Sequence, residues 1–86
     1  ENTELLALAY NALGTALRKA NKPMEALLAF LHVDLLYSSQ AEAHAESLAN
    51  LEQLFTELHK PDHARRMRQV LNERYKNSRW AAMGKK

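Results

Sequence analysis

The chain matches itself when it is shifted by 38 positions, and this internal repeat limits its fold more than any other feature. Six residues are identical across the shift, and four further pairs stay apolar at spacings that place them on one face of a helix. The identical pairs are Glu4 and Glu42, Ala7 and Ala45, Lys22 and Lys60, Pro23 and Pro61, Ala26 and Ala64, and Tyr37 and Tyr75; the apolar pairs are Tyr10 and Leu48, Leu13 and Leu51, Leu17 and Phe55, and Val33 and Leu71. A repeat of this length predicts a helical solenoid, in which each unit buries its apolar face against the next.

The residue types favour helix throughout. Alanine and leucine supply 29 of the 86 residues, isoleucine is absent, and only five residues are β-branched. Because a sheet core needs branched and aromatic side chains, we expect an all-α protein. With no cysteine, a disulfide framework and a thiolate metal site are excluded. The longest apolar runs are far shorter than the ~20 residues that cross a bilayer, so we expect no membrane span.

Prolines and polar turns divide the chain into segments of similar length. Pro23 and Pro61 are tolerated only in the first turn of a helix, so each predicts a helix start. Asn21 is suited to the left-handed conformation that often ends a helix. We therefore predict five helices, at roughly 3–20, 23–37, 41–58, 61–75 and 78–83.

The first copy of the repeat resembles the tetratricopeptide repeat. The residues that carry the resemblance are Tyr10, Leu13, Gly14, Leu17, Ala26, Phe30 and Val33. In that family a glycine and a small alanine let the two helices of a hairpin approach closely, and larger residues fill the surrounding space. The resemblance implies two antiparallel hairpins, about 4–38 and 42–76, a capping helix at about 78–83, and a right-handed superhelical solenoid.

The second copy departs from the pattern at two positions. Glu52 stands in the glycine position and Arg68 in the aromatic position. A buried arginine without a partner is costly, so we expect Arg68 to lie at an edge or to find a partner. Met67 and Val70 could supply the apolar contact in its place.

The period and the C-terminal segment narrow the resemblance. The period exceeds the ~34 residues of a typical repeat by about one helical turn. Together with the segment from Glu73 to Ala81, it is similar to bacterial repeat proteins of the cell-division coordinator type and related envelope factors, although Lys76 stands where those proteins carry proline. Cytoplasm and periplasm both stay open. We expect residues 1–86 to form one domain taken from a larger protein.

The resemblance implies a non-enzymatic scaffold that binds a peptide or protein on a concave surface lined by the first and third helices. The residues expected to point outward there are Asn11, Thr15 and Arg18 in the first copy and Ala49, Gln53 and Thr56 in the second. Family members that clamp a C-terminal carboxylate use lysine and asparagine, and this row lacks that set. Two alternatives stay open: an inert spacer, and self-assembly into homo-oligomers through exposed repeat edges.

Charge divides the chain into two parts. Residues 1–59 carry a net charge of −5 and residues 60–86 a net charge of +7. The basic residues could form a patch for nucleic acid, but no base-reading aromatic or glycine-rich element accompanies them, so we expect a solvated face and no nucleic-acid partner. The candidates are Arg65, Arg66, Arg68, Arg74, Arg79, Lys85 and Lys86. Head-to-tail association between the oppositely charged ends is a third interpretation.

Residues suited to catalysis or metal binding are few. His59 and His63 have the spacing of a metal pair, but Lys60 and Pro61 break the helix between them. His32 and His44 stand without the residues of a metal or catalytic motif, and the serines lack a histidine base at a suitable spacing. We expect no enzyme activity, metal or cofactor.

Trp80 allows two interpretations. It could be an exposed anchor for a partner, or it could cap the apolar edge of the second hairpin near Leu71 and Tyr75.

Overall fold

A computed structural model describes residues 2–83, and within that range it contains five α-helices and no strand. The helices are α1 (Thr3–Lys19), α2 (Pro23–Leu36), α3 (Ala41–Glu57), α4 (Pro61–Arg74) and α5 (Arg79–Met83). The all-α prediction is confirmed, and each helix begins and ends within one residue of its predicted position. In the described part of the chain, no helix combines the length and the apolar character that a membrane crossing requires.

The backbone repeats with the period found in the sequence. Helix α3 begins and ends 38 positions after α1, and α4 does the same relative to α2. Asn21, in the turn between α1 and α2, has φ 61°, and its counterpart His59, in the turn between α3 and α4, has φ 62°. The next residue of each turn donates its N–H to a carbonyl five positions earlier, at 2.9 Å from Lys22 and 2.8 Å from Lys60. The left-handed conformation predicted for Asn21 is therefore present in both hairpins.

The core lies where the two hairpins meet. Helix α1 packs on α2, α3 packs on α4, and α2 and α3 join the hairpins. One apolar cluster runs through all of these junctions, and its fully buried large side chains are Phe30, Leu48, Leu51, Leu54 and Leu71. A smaller cluster of Ala7, Val33 and Ala43 lies at the other end of the first hairpin, where the rings of Tyr10 and Tyr37 stack at 6.1 Å. Alanines at helix contacts let the backbones approach closely.

Gly14 makes the first hairpin tight. A Cβ atom at this position would lie 2.6 Å from the ring of Phe30, which is fully buried. Ala26, also fully buried, is the small residue of α2 in the same core. The close approach predicted from Gly14 and Ala26 is thus explained by a phenylalanine ring that occupies the space of a missing side chain.

Changing Gly14 to alanine should lower the free energy of unfolding by about 1 to 2 kcal/mol, because the ring of Phe30 must move. In a Phe30→Leu background the ring is gone, and the same change should have little effect or stabilise the helix by up to about 1 kcal/mol. Urea unfolding of the four proteins measures both effects. A cost of Gly14→Ala that is the same in both backgrounds would contradict the contact.

The two residues of the second hairpin that depart from the repeat pattern, Glu52 and Arg68, pair with each other. The guanidinium of Arg68 donates from Nη2 and Nε to one carboxylate oxygen of Glu52, at 2.7 and 3.1 Å. Its Nη1 donates to the carbonyl of Ala81 at 2.7 Å. Glu52 and Arg68 stand 38 positions after Gly14 and Phe30, so an ion pair replaces a glycine and an aromatic ring at one helix contact. Arg68 therefore has the partner that its partial burial requires.

Helix α5 lies on the C-terminal side of the second hairpin, against α3 and α4. Ala81 is fully buried, and the half-buried Trp80 packs on the main cluster, which also contains Leu71 and Tyr75. The indole Nε1 of Trp80 donates to Glu42 at 2.7 Å, and the guanidinium of Arg79 lies 4.5 Å from the ring. This placement favours the capping interpretation of Trp80 over an exposed anchor.

Candidate functional site

The first helices of the two hairpins lie against each other, and polar side chains connect them. Arg18 of α1 is the centre of this connection. Its Nη1 donates to Asn50 at 3.0 Å and to Gln53 at 2.9 Å, and its Nη2 donates to Glu57 at 3.0 Å. One guanidinium thus forms hydrogen bonds with three residues along α3. The α1–α3 contact is therefore held by a hydrogen-bond network as well as by packing.

Asn11 lies inside the α1–α3 contact instead of pointing outward. It is 1% exposed, and its Nδ2 donates to the carbonyl of Ala43 at 3.0 Å and to Glu46 at 3.3 Å. Ala49 of α3 is also buried, at 3% exposed. The prediction that Asn11 and Ala49 point outward is therefore wrong. Asn11 is covered by α3, and Ala49 is buried in the main apolar cluster, which also contains Ala81 of α5.

The other predicted residues remain at the surface of this face. Gln53 and Thr56 are exposed, and Thr15 is half-buried. The Thr56 hydroxyl donates to the carbonyl of Glu52 at 2.9 Å, so its hydrogen bond stays within α3. Of the six candidate residues, the structure brings Arg18 and Gln53 into direct contact.

Three polar residues of α3 belong to this face and were not among the predicted candidates: Glu46, Asn50 and Glu57. With Gln53 they follow the spacing of four, three and four residues that defines one helical face. This polar stripe is visible in the sequence. Following polar as well as apolar periodicity along α3 would have identified these three residues.

Glu46 has an altered pKa. Burial raises the pKa of its carboxyl and Glu42 adds to the rise, while Arg79 and the hydrogen bond from Asn11 act in the opposite direction. The folded protein therefore holds this proton more strongly than the unfolded chain. Stability contributed by the neutral form is present at low pH and is lost as the pH rises through the carboxyl range.

Glu46→Gln should consequently be more stable than the wild type at neutral pH and no more stable at about pH 4, because the amide carries no charge to desolvate. The glutamine Oε1 can still accept the hydrogen bond from Asn11. Urea unfolding across this pH range measures the difference. A wild-type advantage that grows with pH would contradict the burial argument.

A surface cleft of about 400 Å³ adjoins one end of the Arg18 network. It is lined by Arg18, Asn21, Pro23, Leu54, Glu57 and Leu58. The cleft lies between the turn of the first hairpin and the C-terminal part of α3. It offers a cation, a carboxylate and apolar surface side by side.

A second polar contact joins three helical segments in the interior. His44 of α3 is 2% exposed, with Nε2 2.7 Å from a carboxylate oxygen of Asp34 and Nδ1 2.7 Å from the hydroxyl of Tyr75. A carboxylate only accepts, so Nε2 donates to Asp34, and Nδ1 is left to pair with the hydroxyl of Tyr75. The histidine that stood isolated in the sequence is thus fully paired. Burial raises the pKa of Tyr75, despite an opposing effect of Arg74.

Three of the candidate arginines in the C-terminal part make ion pairs. Arg68 binds Glu52, Arg65 binds Asp62, and the Nε of Arg79 lies 3.6 Å from Glu42. The guanidinium of Arg74 lies 5.3 Å from the ring of Tyr75. Lys85 and Lys86 lie outside the described residues. Charge segregation along the sequence is therefore partly offset where Arg68 and Arg79 contact Glu52 and Glu42 of α3.

The remaining histidines do not come together as a metal site. His59 adopts the left-handed turn conformation, whereas the ring of His63 packs at 5.0 Å from Phe55. His32 stacks on Tyr10 at 4.5 Å. Within residues 2–83, no group of three or more histidine, aspartate or glutamate side chains is arranged to hold a metal ion.

Comparison of the chain with protein-family models, with curated proteins and with solved structures gives no match.

Proposed function

We propose that this chain is a helical-repeat scaffold that binds a peptide or protein on the face formed by α1 and α3. The observation that carries the proposal is the pair of hairpins with identical spacing, whose first helices lie side by side. Proteins built from such repeats use extended surfaces, composed of equivalent helices, for recognition.

More particularly, the chain is a scaffold of the tetratricopeptide type, with a right-handed superhelical arrangement of its hairpins. The close contact of Gly14 with Phe30 and the complete burial of Ala26 support this assignment. The ion pair of Glu52 and Arg68 accounts for the second hairpin's departure from the pattern.

The α1–α3 face supports recognition through hydrogen bonds. Gln53 and Glu57 are exposed, and Arg18 already holds both side chains in place. Binding a partner therefore costs little further side-chain conformational entropy. An extended peptide presents backbone N–H and C=O groups that such side chains can pair. The adjoining cleft, bordered by Leu54 and Leu58, would receive an apolar side chain of the partner.

The proposed role is non-enzymatic and uses no metal or cofactor. The contact of Asp34, His44 and Tyr75 has the order of a catalytic relay, but the raised pKa of Tyr75 opposes formation of the phenolate that a nucleophile would require. We assign this contact to the junction of α2, α3 and the end of α4.

A photo-cross-linking amino acid at position 53 tests the proposal. Gln53 and Gln69 are both exposed glutamines, on α3 and α4 respectively, so the same label at position 69 is a matched control. We expect a protein from the source cells to be captured from position 53 and not from position 69. Capture of the same proteins from both positions, or from neither, would overturn the proposal.

A further inference from the structure

One face of α1 is apolar and uncovered. Leu6, Ala9, Leu13 and Ala16 follow one another at spacings of three, four and three residues and share a side of the helix. All four are exposed, Leu6 by 39% and Leu13 by 49%. Leucines on one helical face normally mark a surface that another element covers.

The second hairpin shows what covers this face. The equivalent positions of α3 are His44, Ser47, Leu51 and Leu54, and each is at most 2% exposed. Besides α4 and α5, α3 packs on α1 and α2, and Asp34 of α2 binds His44 directly. Leu27 and Leu31 precede Asp34 by seven and three residues, so they lie on the same side of α2. Both belong to the cluster that contains Leu51 and Leu54.

We propose that the Leu6–Ala16 face of α1 is a docking site for an amphipathic α-helix of a partner protein, seated on α1 as α2 is seated on α3. The site is separate from the α1–α3 face, and the proposal does not rest on the function proposed for that face. It extends the observed packing of α2 on α3 by one repeat toward the N-terminus.

The chemistry of the partner follows from the residues that differ between α1 and α3. Leu6 stands where α3 has His44, so a carboxylate in the place of Asp34 would be buried against a leucine without a partner. The partner helix therefore carries apolar residues at all three positions that correspond to Leu27, Leu31 and Asp34.

A second copy of this chain, stacked end to end, does not meet that requirement. The residues of α4 equivalent to Leu27, Leu31 and Asp34 are Arg65, Gln69 and Asn72. All three are polar and exposed, and α5 already lies beside α4. Placing this stripe on Leu13 would bury polar groups against apolar surface, so the end-to-end copy is the weaker occupant.

The test uses a synthetic helix as the probe and isotope-labelled protein as the target. The peptide spans residues 22–37 with Asp34→Leu, and Ala26→Gln, Phe30→Glu and Val33→Lys make its other side polar. We expect saturable shifts in the amide resonances of α1 around Leu6 and Leu13. The same peptide with Asp34 retained should bind about tenfold more weakly, because its carboxylate loses hydration against Leu6.

Two protein variants locate the binding. Leu13→Asp should weaken the peptide at least tenfold, and the exposure of Leu13 allows the variant to fold. Leu35→Asp, at an apolar position that is 73% exposed on α2, is the matched control and should bind normally. Absence of binding, equal binding of both peptides, or loss with Leu35→Asp alone would overturn the proposal. Self-association of the wild type that Leu13→Asp abolishes would do so too, because the occupant would then be a second copy.

Discussion

Truncating Leu51 to alanine is expected to lower the free energy of unfolding by about 3 kcal/mol, whereas the same truncation at Leu13 should cost less than about 1 kcal/mol. The two leucines occupy the same position of the repeat. Leu51 is fully buried between the hairpins, and Leu13 is 49% exposed. The lost apolar contact and the cavity left behind therefore affect only the Leu51 variant. Urea unfolding of dilute protein, where association is absent, measures both values.

If Leu51→Ala leaves too little folded protein to measure, Leu51→Val and Leu13→Val provide a milder comparison. The cost should again be larger at position 51 than at position 13. Equal costs at the two positions would contradict the structure, since they would place the exposed face of α1 in an environment as apolar as the core. Equal costs at high protein concentration alone would instead report association through that face.

Breaking the ion pair of Glu52 and Arg68 should also have a large effect. Arg68→Phe leaves Glu52 without its cation and removes the donor to the Ala81 carbonyl, and Glu52→Gly leaves Arg68 without its carboxylate. Because the side chains retain 27% and 19% exposure, we expect each single change to cost about 2 kcal/mol, below the 3 to 5 typical of a fully buried pair.

The double variant, Glu52→Gly with Arg68→Phe, recreates the glycine and aromatic ring of the first hairpin. We expect it to recover about 1 to 2 kcal/mol relative to the sum of the single changes, measured by a double-mutant cycle. Glu57→Ala with Arg65→Ala provides a control cycle, because these exposed residues bind different partners. Additive costs for Glu52 and Arg68 would show that the two substitutions in the second copy are unrelated.

The helices and turns were predictable from the sequence because their causes are local. Pro23 and Pro61 start helices through the fixed φ of proline, and Asn21 ends one through its tolerance of positive φ. His59 adopts the same conformation 38 residues after Asn21, and histidine is also enriched at positive φ.

The candidate site was predictable only in part. Helical spacing placed Asn11 and Arg18 on one side of α1, and that is correct, but it could not tell how near α3 would lie. Asn11 is covered by Ala43, whereas the longer side chain of Arg18 reaches across to Asn50 and Gln53. The distance between two helices depends on all the residues between them, which no single periodicity contains.

The sequence by itself determined the helix class, the turn positions and the period of the repeat, because these follow from backbone preferences within a few residues and from their recurrence. Only the tertiary structure decided that Arg68 pairs with Glu52, that His44 joins Asp34 to Tyr75, and that Leu13 is exposed while Leu51 is buried. These outcomes depend on which elements become neighbours: α3 has α2 beside it, and within the described residues no helix holds the corresponding place beside α1.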